Sequence, residues 1–177
     1  MKNKLKFALI YGSTRKKRLG IRFVNYLANQ ILKSKHVPMI IDPLENKLPL
    51  LDKRFEDELK RFVEEYIDIV FCNFDEAKMF CQCESMADVS AYLQNFSKKI
   101  VMTAGPEGAY YFEGETVVHE VALKVDNVID TTGAGDNFAA GFLDFYLSDK
   151  SIQEALTQGN SRASQVIQQL GPRIKRH

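Results

Sequence analysis

Short apolar segments alternate with longer helical stretches through the first part of the chain, and this alternation restricts the fold most. Segments with the length and apolar content of buried strands lie at 5–11, 37–42, 67–72 and 99–103. Stretches with helical periodicity lie between or after them, at 20–34, 55–66 and 75–95. Such alternation is typical of parallel strands joined by crossover helices.

The remaining part of the chain predicts an antiparallel hairpin and further helices. Residues 109–112 and 115–118 flank Gly114 in a hairpin pattern. The last helices are expected at 133–148 and 151–169. We therefore expect an α/β fold with three layers (α/β/α), in which a doubly wound, mostly parallel sheet carries an antiparallel hairpin at one edge.

A loop of small residues, 130–138, leads directly into the first of these helices with the sequence Asp-Thr-Thr-Gly-Ala-Gly-Asp-Asn-Phe. Its glycines let backbone N–H groups approach a phosphate, and the start of a helix favours an anion. Asp136 would repel that phosphate, so it makes more chemical sense as a base that takes a proton from an attacking hydroxyl. The predicted phosphate-binding residues of the loop are Thr132, Gly133, Ala134 and Gly135.

The loop resembles the second signature of the ribokinase-like (PfkB-type) carbohydrate and nucleoside kinases, in which the matching acid is the catalytic base. Upstream, Asn73 and Glu76 are similar to that family's Asn-x-x-Glu motif. The resemblance implies that both residues help to organise Mg²⁺ and its water around the nucleotide phosphates. The same pair also has the pattern of a capped helix, so a purely structural role is the alternative.

Further segments extend this resemblance over residues 57–173. Residues 100–109 resemble the family's Thr-x-Gly-x-x-Gly turn, and 159–173 resemble the end of an adenosine kinase-like member. The resemblance implies ATP or ADP with Mg²⁺ as the ligand. The nucleotide-binding residues that it adds are Thr103, Gly105, Gly108 and Asn160. The sequence contains no Walker-type phosphate loop, so any phosphoryl transfer is expected to follow the ribokinase type.

Residues 1–54 resemble a different family, the flavodoxin-like NAD(P)H-dependent flavin mononucleotide (FMN) reductases. An apolar strand is followed by Gly-Ser-Thr-Arg, and the resemblance implies that Ser13, Thr14 and Arg15 hold the flavin phosphate. The basic residues of 15–22 suit a solvated turn equally well. Because the apolar pocket for the flavin ring is not found, we expect FMN to bind weakly or not at all.

The two resemblances meet near residues 53–57. We interpret the chain as one hybrid domain, 1–177, with a flavodoxin-like β-α-β unit (1–54) and the C-terminal half of a ribokinase-like kinase (55–177). Natural fusions usually join whole domains, which favours laboratory or computational recombination as the origin of the chimera, with a natural fusion as the alternative.

The acceptor-binding half of the kinase family is not found in the sequence. We therefore expect weak nucleotide binding with little or no phosphoryl transfer. An inert chimera without a ligand and a module that binds only the FMN phosphate are the alternatives.

The composition of the chain limits the classes of binding partner that we expect. Lys and Arg number 24 against 23 Asp and Glu, which predicts neither a nucleic-acid surface nor an anionic-membrane surface. No apolar run approaches the roughly 20 residues of a membrane span, and no signal peptide is found, so a soluble cytoplasmic protein is expected. Cys72, Cys81 and Cys83 do not complete a zinc site, so no direct metal ligands are expected. The oligomeric state is left open.

Overall fold

The computed structural model describes residues 4, 6–10, 21–41, 61 and 63–174. Contacts between Cα atoms divide the chain into two compact units, Met1–Asp68 and Ile69–His177. The flavin-phosphate candidates Ser13, Thr14 and Arg15 lie outside the described residues, and so do the join at 53–57 and most of the helix expected at 55–66.

The first unit contains the strand-helix-strand arrangement that the sequence predicts. Strand β1 (Lys6–Ile10) pairs in parallel with β2 (Val37–Ile41), and helix α1 (Ile21–Lys33) connects them. Val24 and Ala28, which are four residues apart, are both buried. This spacing places them on one face of α1, the face that packs inward.

The second unit is built on a mixed sheet. Its strands are β3 (Ile69–Asn73), β4 (Lys99–Thr103), β5 (Ala109–Glu113) and β6 (Thr116–Glu120), in the order β3-β4-β5-β6. The β3–β4 pair is parallel, whereas β4–β5 and β5–β6 are antiparallel. The expected α/β class with a hairpin at one sheet edge is therefore confirmed.

Helices cover both faces of this sheet. They are α2 (Phe74–Cys81), α3 (Met86–Gln94), α4 (Ala134–Tyr146) and α5 (Ile152–Val166). Val101 and Tyr111 pack with Phe142 of α4 in one buried cluster. Their strand neighbours Met102 and Phe112 are also fully buried, and because side chains alternate along a strand they belong to the opposite face. Helices α2 and α3 contact the same strands, which completes the three layers.

The prediction of a single helix at 75–95 is wrong, because two helices occupy this range. Helix α2 ends at Cys81, and Gln82 adopts a left-handed conformation with φ 54°. A second helix then begins after Ser85, whose Oγ accepts a hydrogen bond from the N–H of Asp88 at 3.1 Å. Apolar periodicity continued across the break and concealed this local cap. Within the described ranges, no helix is long and apolar enough to cross a bilayer.

Candidate functional site

A cleft of about 950 Å³ lies at the end of the second unit's sheet. Asn73 and Thr103 are the last residues of the parallel strands β3 and β4, they are partners in register, and both line the cleft. Open α/β sheets bind their ligands beyond the carboxyl ends of parallel strands, so the position is that of a ligand site. The other walls come from the segments 104–108 and 122–131 and from helices α4 and α5.

Asn73 and Glu76 form a reciprocal cap at the start of α2. The side chain of Asn73 accepts a hydrogen bond from the N–H of Glu76, and the N–H of Asn73 donates to Glu76 Oε2, both at 2.8 Å. Asn73 and Glu76 therefore do form the helix cap that was the alternative to a role at the nucleotide. Glu76 is exposed and does not line the cleft, whereas Asp75, which sequence reasoning did not select, does.

The turn after β4 depends on glycine at position 108. Gly105–Glu107 forms one 3₁₀ turn, which is closed by a 2.8 Å hydrogen bond from the N–H of Ala104 to the carbonyl of Gly108. Gly108 has φ +102°, and a Cβ atom there would lie 2.1 Å from the carbonyl oxygen of Glu120. Gly105 instead has open space at its Cβ position. The turn is thus packed on one side and accessible on the other.

His119 supports the same turn from β6. Its Nε2 donates to the carbonyl of Glu107 at 2.8 Å, and its ring stacks on Tyr110 with the ring centroids 4.1 Å apart. Sequence patterns alone assign no chemistry to this histidine. The structure places it against the backbone of the turn that forms one wall of the cleft.

Helix α4 begins in the cleft. Gly133 precedes it in a left-handed conformation, with φ 77° and ψ 10°. The N–H of Ala134 donates to the carbonyl of Thr131, while the next N–H groups, of Gly135 and Asp136, precede any acceptor within the helix. A Cβ atom on Gly135 would have no neighbour within 4 Å. The helix start therefore presents backbone donors to an open space, which is the arrangement that binds anions.

Asp130 fixes the shape of the loop that leads into α4. Its carboxylate accepts hydrogen bonds from the N–H of Thr132 at 2.8 Å and from the N–H of Gly171 at 2.9 Å. Hydrogen bonds from Thr132 and then from Gly171 hold the pKa of this carboxyl below its ordinary value. Sequence reasoning gave Asp130 no role, although an Asp two residues before a turn donor is a known local signal.

The structure brings together some of the predicted site residues and leaves others at the margin. Those that line the cleft are Asn73, Thr103, Gly105, Gly108, Ala134, Gly135 and Asn160. Those that do not line it are Glu76, Thr132, Gly133 and Asp136. Asp136 is exposed on the first turn of α4. The chemical roles of both groups stay predictions.

Asn160 is the one buried polar residue of the described core, with 7% of its surface exposed. Its Nδ2 donates to the carbonyls of Glu120 and Val121, at 3.1 and 3.0 Å. The side chain therefore anchors the start of the segment that crosses the cleft.

An apolar wall of the cleft was missed by sequence reasoning. Its members are Leu123, Val125, Val128, Ala163 and Ile167. They come from a segment without regular structure and from the end of α5, so no motif marks them. The only signal was an excess of aliphatic residues in a loop, and it pointed to burial against a neighbour or a ligand.

The titratable groups near the cleft do not build a metal cage. Across the part of the chain that the structure describes, no group of three or more His, Cys, Asp and Glu could hold a metal ion. Cys72 is a free cysteine, and burial raises the pKa of its thiol to about 12. This thiol is therefore neutral at physiological pH and a poor metal ligand.

The sheet, its helices and the position of the cleft define a ribokinase-like α/β protein. The family model of the pfkB family carbohydrate kinases matches residues 22–176. The chain belongs to this family.

Individual relatives agree with this assignment. The cytidine kinase of Thermococcus kodakarensis is 30% identical over 142 residues, which are 79% of this chain and 50% of that protein. The 2-dehydro-3-deoxygluconokinase of Escherichia coli K12 is 35% identical over 116 residues, or 63% of this chain and 38% of that protein. The chain thus spans half or less of the length of these relatives.

A solved structure matches nearly the whole chain. The adenosine kinase from Sinorhizobium meliloti is 27% identical and superposes with a TM-score of 0.69, covering 95% of this chain and 50% of that one. Both this match and the family match, which begins at residue 22, include residues of the segment that resembles flavin reductases.

Proposed function

We propose that the cleft of the second unit binds a nucleoside triphosphate with Mg²⁺, with its phosphates at the start of α4. The observation that carries the proposal is the open space at Gly135, where free backbone donors of a helix start line the cleft. The turn at Gly105 provides a second open stretch of backbone on the same cleft. Kinases of this family use ATP with Mg²⁺, and ATP or ADP is accordingly the nucleotide that we propose.

The residues around the cleft suit magnesium that arrives with the nucleotide. Mg²⁺ keeps several waters and is usually bound through one or two carboxylates together with substrate phosphates. Asp75 lines the cleft, and Glu76 lies next to it at the start of α2. Asn73 and Glu76 would then orient the waters of the ion.

Asp136 is proposed as the base of the phosphoryl transfer. It would take the proton of an acceptor hydroxyl, whose oxygen then attacks the terminal phosphorus while the nucleoside diphosphate leaves. The names of the relatives suggest a carbohydrate or nucleoside alcohol as the acceptor. The N–H groups at the start of α4 would stabilise the charge that develops on the phosphate oxygens.

For this 177-residue chain by itself we propose binding with negligible transfer. Asp136 is exposed in the second unit, so water competes with any acceptor for the same position. Phosphoryl transfer depends on positioning and on the exclusion of water, and each contributes several kcal/mol.

The hybrid origin remains a proposal, since the residues around the join lie outside the described ranges. The family match from residue 22 favours the simpler alternative, in which most of the N-terminal segment also derives from the kinase family. The flavin-phosphate role of Ser13, Thr14 and Arg15 likewise remains a proposal, and FMN is not expected to bind well.

Calorimetric titration of the full chain with Mg·ATP tests the proposed binding. We expect measurable heat for the wild type and at least about tenfold weaker binding for Gly135→Leu, whose side chain would occupy the space for the phosphates. Ala140→Leu is the matched control, because it adds a similar side chain at an exposed position of α4. Absence of heat at millimolar nucleotide, or equal weakening by both substitutions, would contradict the proposal.

A further inference from the structure

Strand β6 forms one edge of the second unit's sheet, because β5 is the only described strand that pairs with it. The hairpin between β5 and β6 turns through two residues, 114–115. In such a hairpin the two residues that flank the turn, here Glu113 and Thr116, hydrogen-bond to each other, and bonded and non-bonded pairs alternate from there. The backbone N–H and C=O groups of Val117 and His119 therefore point away from β5, along the open edge.

These backbone groups have no hydrogen-bond partner within residues 63–174. The side chains of Val117 and His119 are exposed as well, that of Val117 by 41%. Helix α5 packs on the other face of the strand, the face that carries Val118, and so leaves the edge open. The open stretch ends at Glu120, where the amide of Asn160 donates to two successive carbonyls.

Strand β6 lacks the features that protect an exposed sheet edge. Natural proteins use Lys, Pro or a bulge there, because an open row of backbone donors and acceptors pairs readily with another chain. The sequence of β6 is Thr-Val-Val-His-Glu, which contains neither proline nor lysine, and its one charged residue, Glu120, stands at the end. Its ladder with β5 runs through five successive pairs without a bulge. Three of the five residues are β-branched and favour pairing. The edge is therefore suited to a further strand.

We propose that two copies of this chain associate edge to edge through β6, antiparallel, so that two four-stranded sheets become one sheet of eight strands. A two-fold axis at Val118 uses all the open backbone groups, because it places Val117 of each copy opposite His119 of the other. A shift by two residues in either direction would require groups of the turn at 114–115 or a carbonyl to which Asn160 already donates. The inference is independent of nucleotide binding.

The side chains of β6 are compatible with this register. Thr116 of each copy lies opposite Glu120 of the other, and Val118 lies opposite Val118 of the second copy. Like charges directly opposite each other destabilise paired strands, and this register contains none. A strand of five residues buries little surface, so we expect a weak dimer whose population depends on the protein concentration.

Sedimentation equilibrium of the full chain from micromolar to millimolar concentration tests the inference. We expect the mean mass to rise from 20.2 kDa toward twice that value. In Val117→Pro the rise should disappear, because proline removes an N–H group that points along the open edge and not toward β5. Val117→Thr keeps this N–H group and is the matched control, which should associate like the wild type. A mass that stays at 20.2 kDa at every concentration, or association that persists in Val117→Pro, would overturn the inference.

Two substitutions at Thr116 test the register and leave the edge backbone unchanged. Thr116→Lys places an ammonium group opposite Glu120 of the second copy and should tighten the dimer, whereas Thr116→Glu should weaken it, each by about twofold to fivefold. Equal dissociation constants for the two variants would overturn the inference. This comparison decides even if Val117→Pro fails to fold, which circular dichroism would reveal.

Discussion

Gly133 lies so close to Pro172 that a Cβ atom on the glycine would be 2.6 Å from the proline Cβ. The segment after α5 thus packs directly under the loop that leads into α4. Asn137 joins the same contact, since its Nδ2 donates to the carbonyls of Gly133 and Pro172 at 2.8 and 2.9 Å. The proposed phosphate loop is therefore shaped by a part of the chain that lies far from it in sequence.

Gly133→Ala is expected to destabilise the second unit by more than the cost of placing a non-glycine residue in a left-handed conformation. A left-handed non-glycine residue costs about 1–2 kcal/mol, and the contact with Pro172 adds to this cost. Gly114→Ala is the control, because Gly114 has φ +56° and open space at its Cβ position. Urea denaturation of both variants measures the difference. Equal losses of unfolding free energy would show that the contact with Pro172 does not matter.

Asp130 is expected to make stability depend on pH in the acidic range. Hydrogen bonds from Thr132 and Gly171 lower the pKa of the folded carboxyl below its ordinary value of 3.8. Its contribution is therefore present above the ordinary pKa and is lost as the pH falls through the lower, folded value. The stability difference between the wild type and Asp130→Asn should shrink as the pH falls below 3.8.

Denaturation series at several pH values check this expectation, with Asp126→Asn as the control for an exposed aspartate that precedes the loop. A difference between the wild type and Asp130→Asn that stays constant down to the lowest pH would contradict the proposed role of the two backbone hydrogen bonds.

Asp136→Ala is expected to leave the affinity for Mg·ATP equal or slightly higher. The substitution removes a negative charge next to the proposed phosphates, and like charges repel. Asp144→Ala serves as the control, since Asp144 is exposed further along α4. Titration of both variants gives the comparison. A large loss of affinity in Asp136→Ala, or a robust kinase rate in the wild type that this change abolishes, would contradict binding without efficient transfer.

His119→Phe is expected to weaken nucleotide binding while folding is preserved. Phenylalanine retains the stacking on Tyr110 but cannot donate to the carbonyl of Glu107. The turn at 105–107 would then be less constrained, and we expect about a threefold loss of affinity, as for one modest hydrogen bond. Thr116→Val is the control on the same strand. Unchanged binding in His119→Phe would show that the turn holds its shape without the histidine.

The sequence predicted what local patterns encode and missed what distant contacts decide. Short-range signals were sufficient for the strands, for the hairpin at Gly114 and for the helix start at Gly133. The break between α2 and α3 was missed because the cap at Ser85 lies within a continuous apolar period. The contact between Asp130 and Gly171 spans 41 residues, and no local pattern specifies such a pairing.

The apolar wall of the cleft was hidden for the same reason. Val125 and Val128 lie in a segment without helix or strand, and their role depends on the position of α5 across the cleft. Sequence patterns report the period of an element, but they do not report which element faces which.

An ¹⁵N-resolved NMR titration of the full chain with Mg·ATP locates the bound phosphates residue by residue. If the start of α4 binds the phosphates, the amide signals of Ala134, Gly135 and Asp136 should shift most, together with that of Gly105. Amides on the opposite end of the sheet, such as that of Lys99, should stay in place. Shifts that are absent at millimolar nucleotide, or that fall mainly outside the cleft, would contradict nucleotide binding at the start of α4.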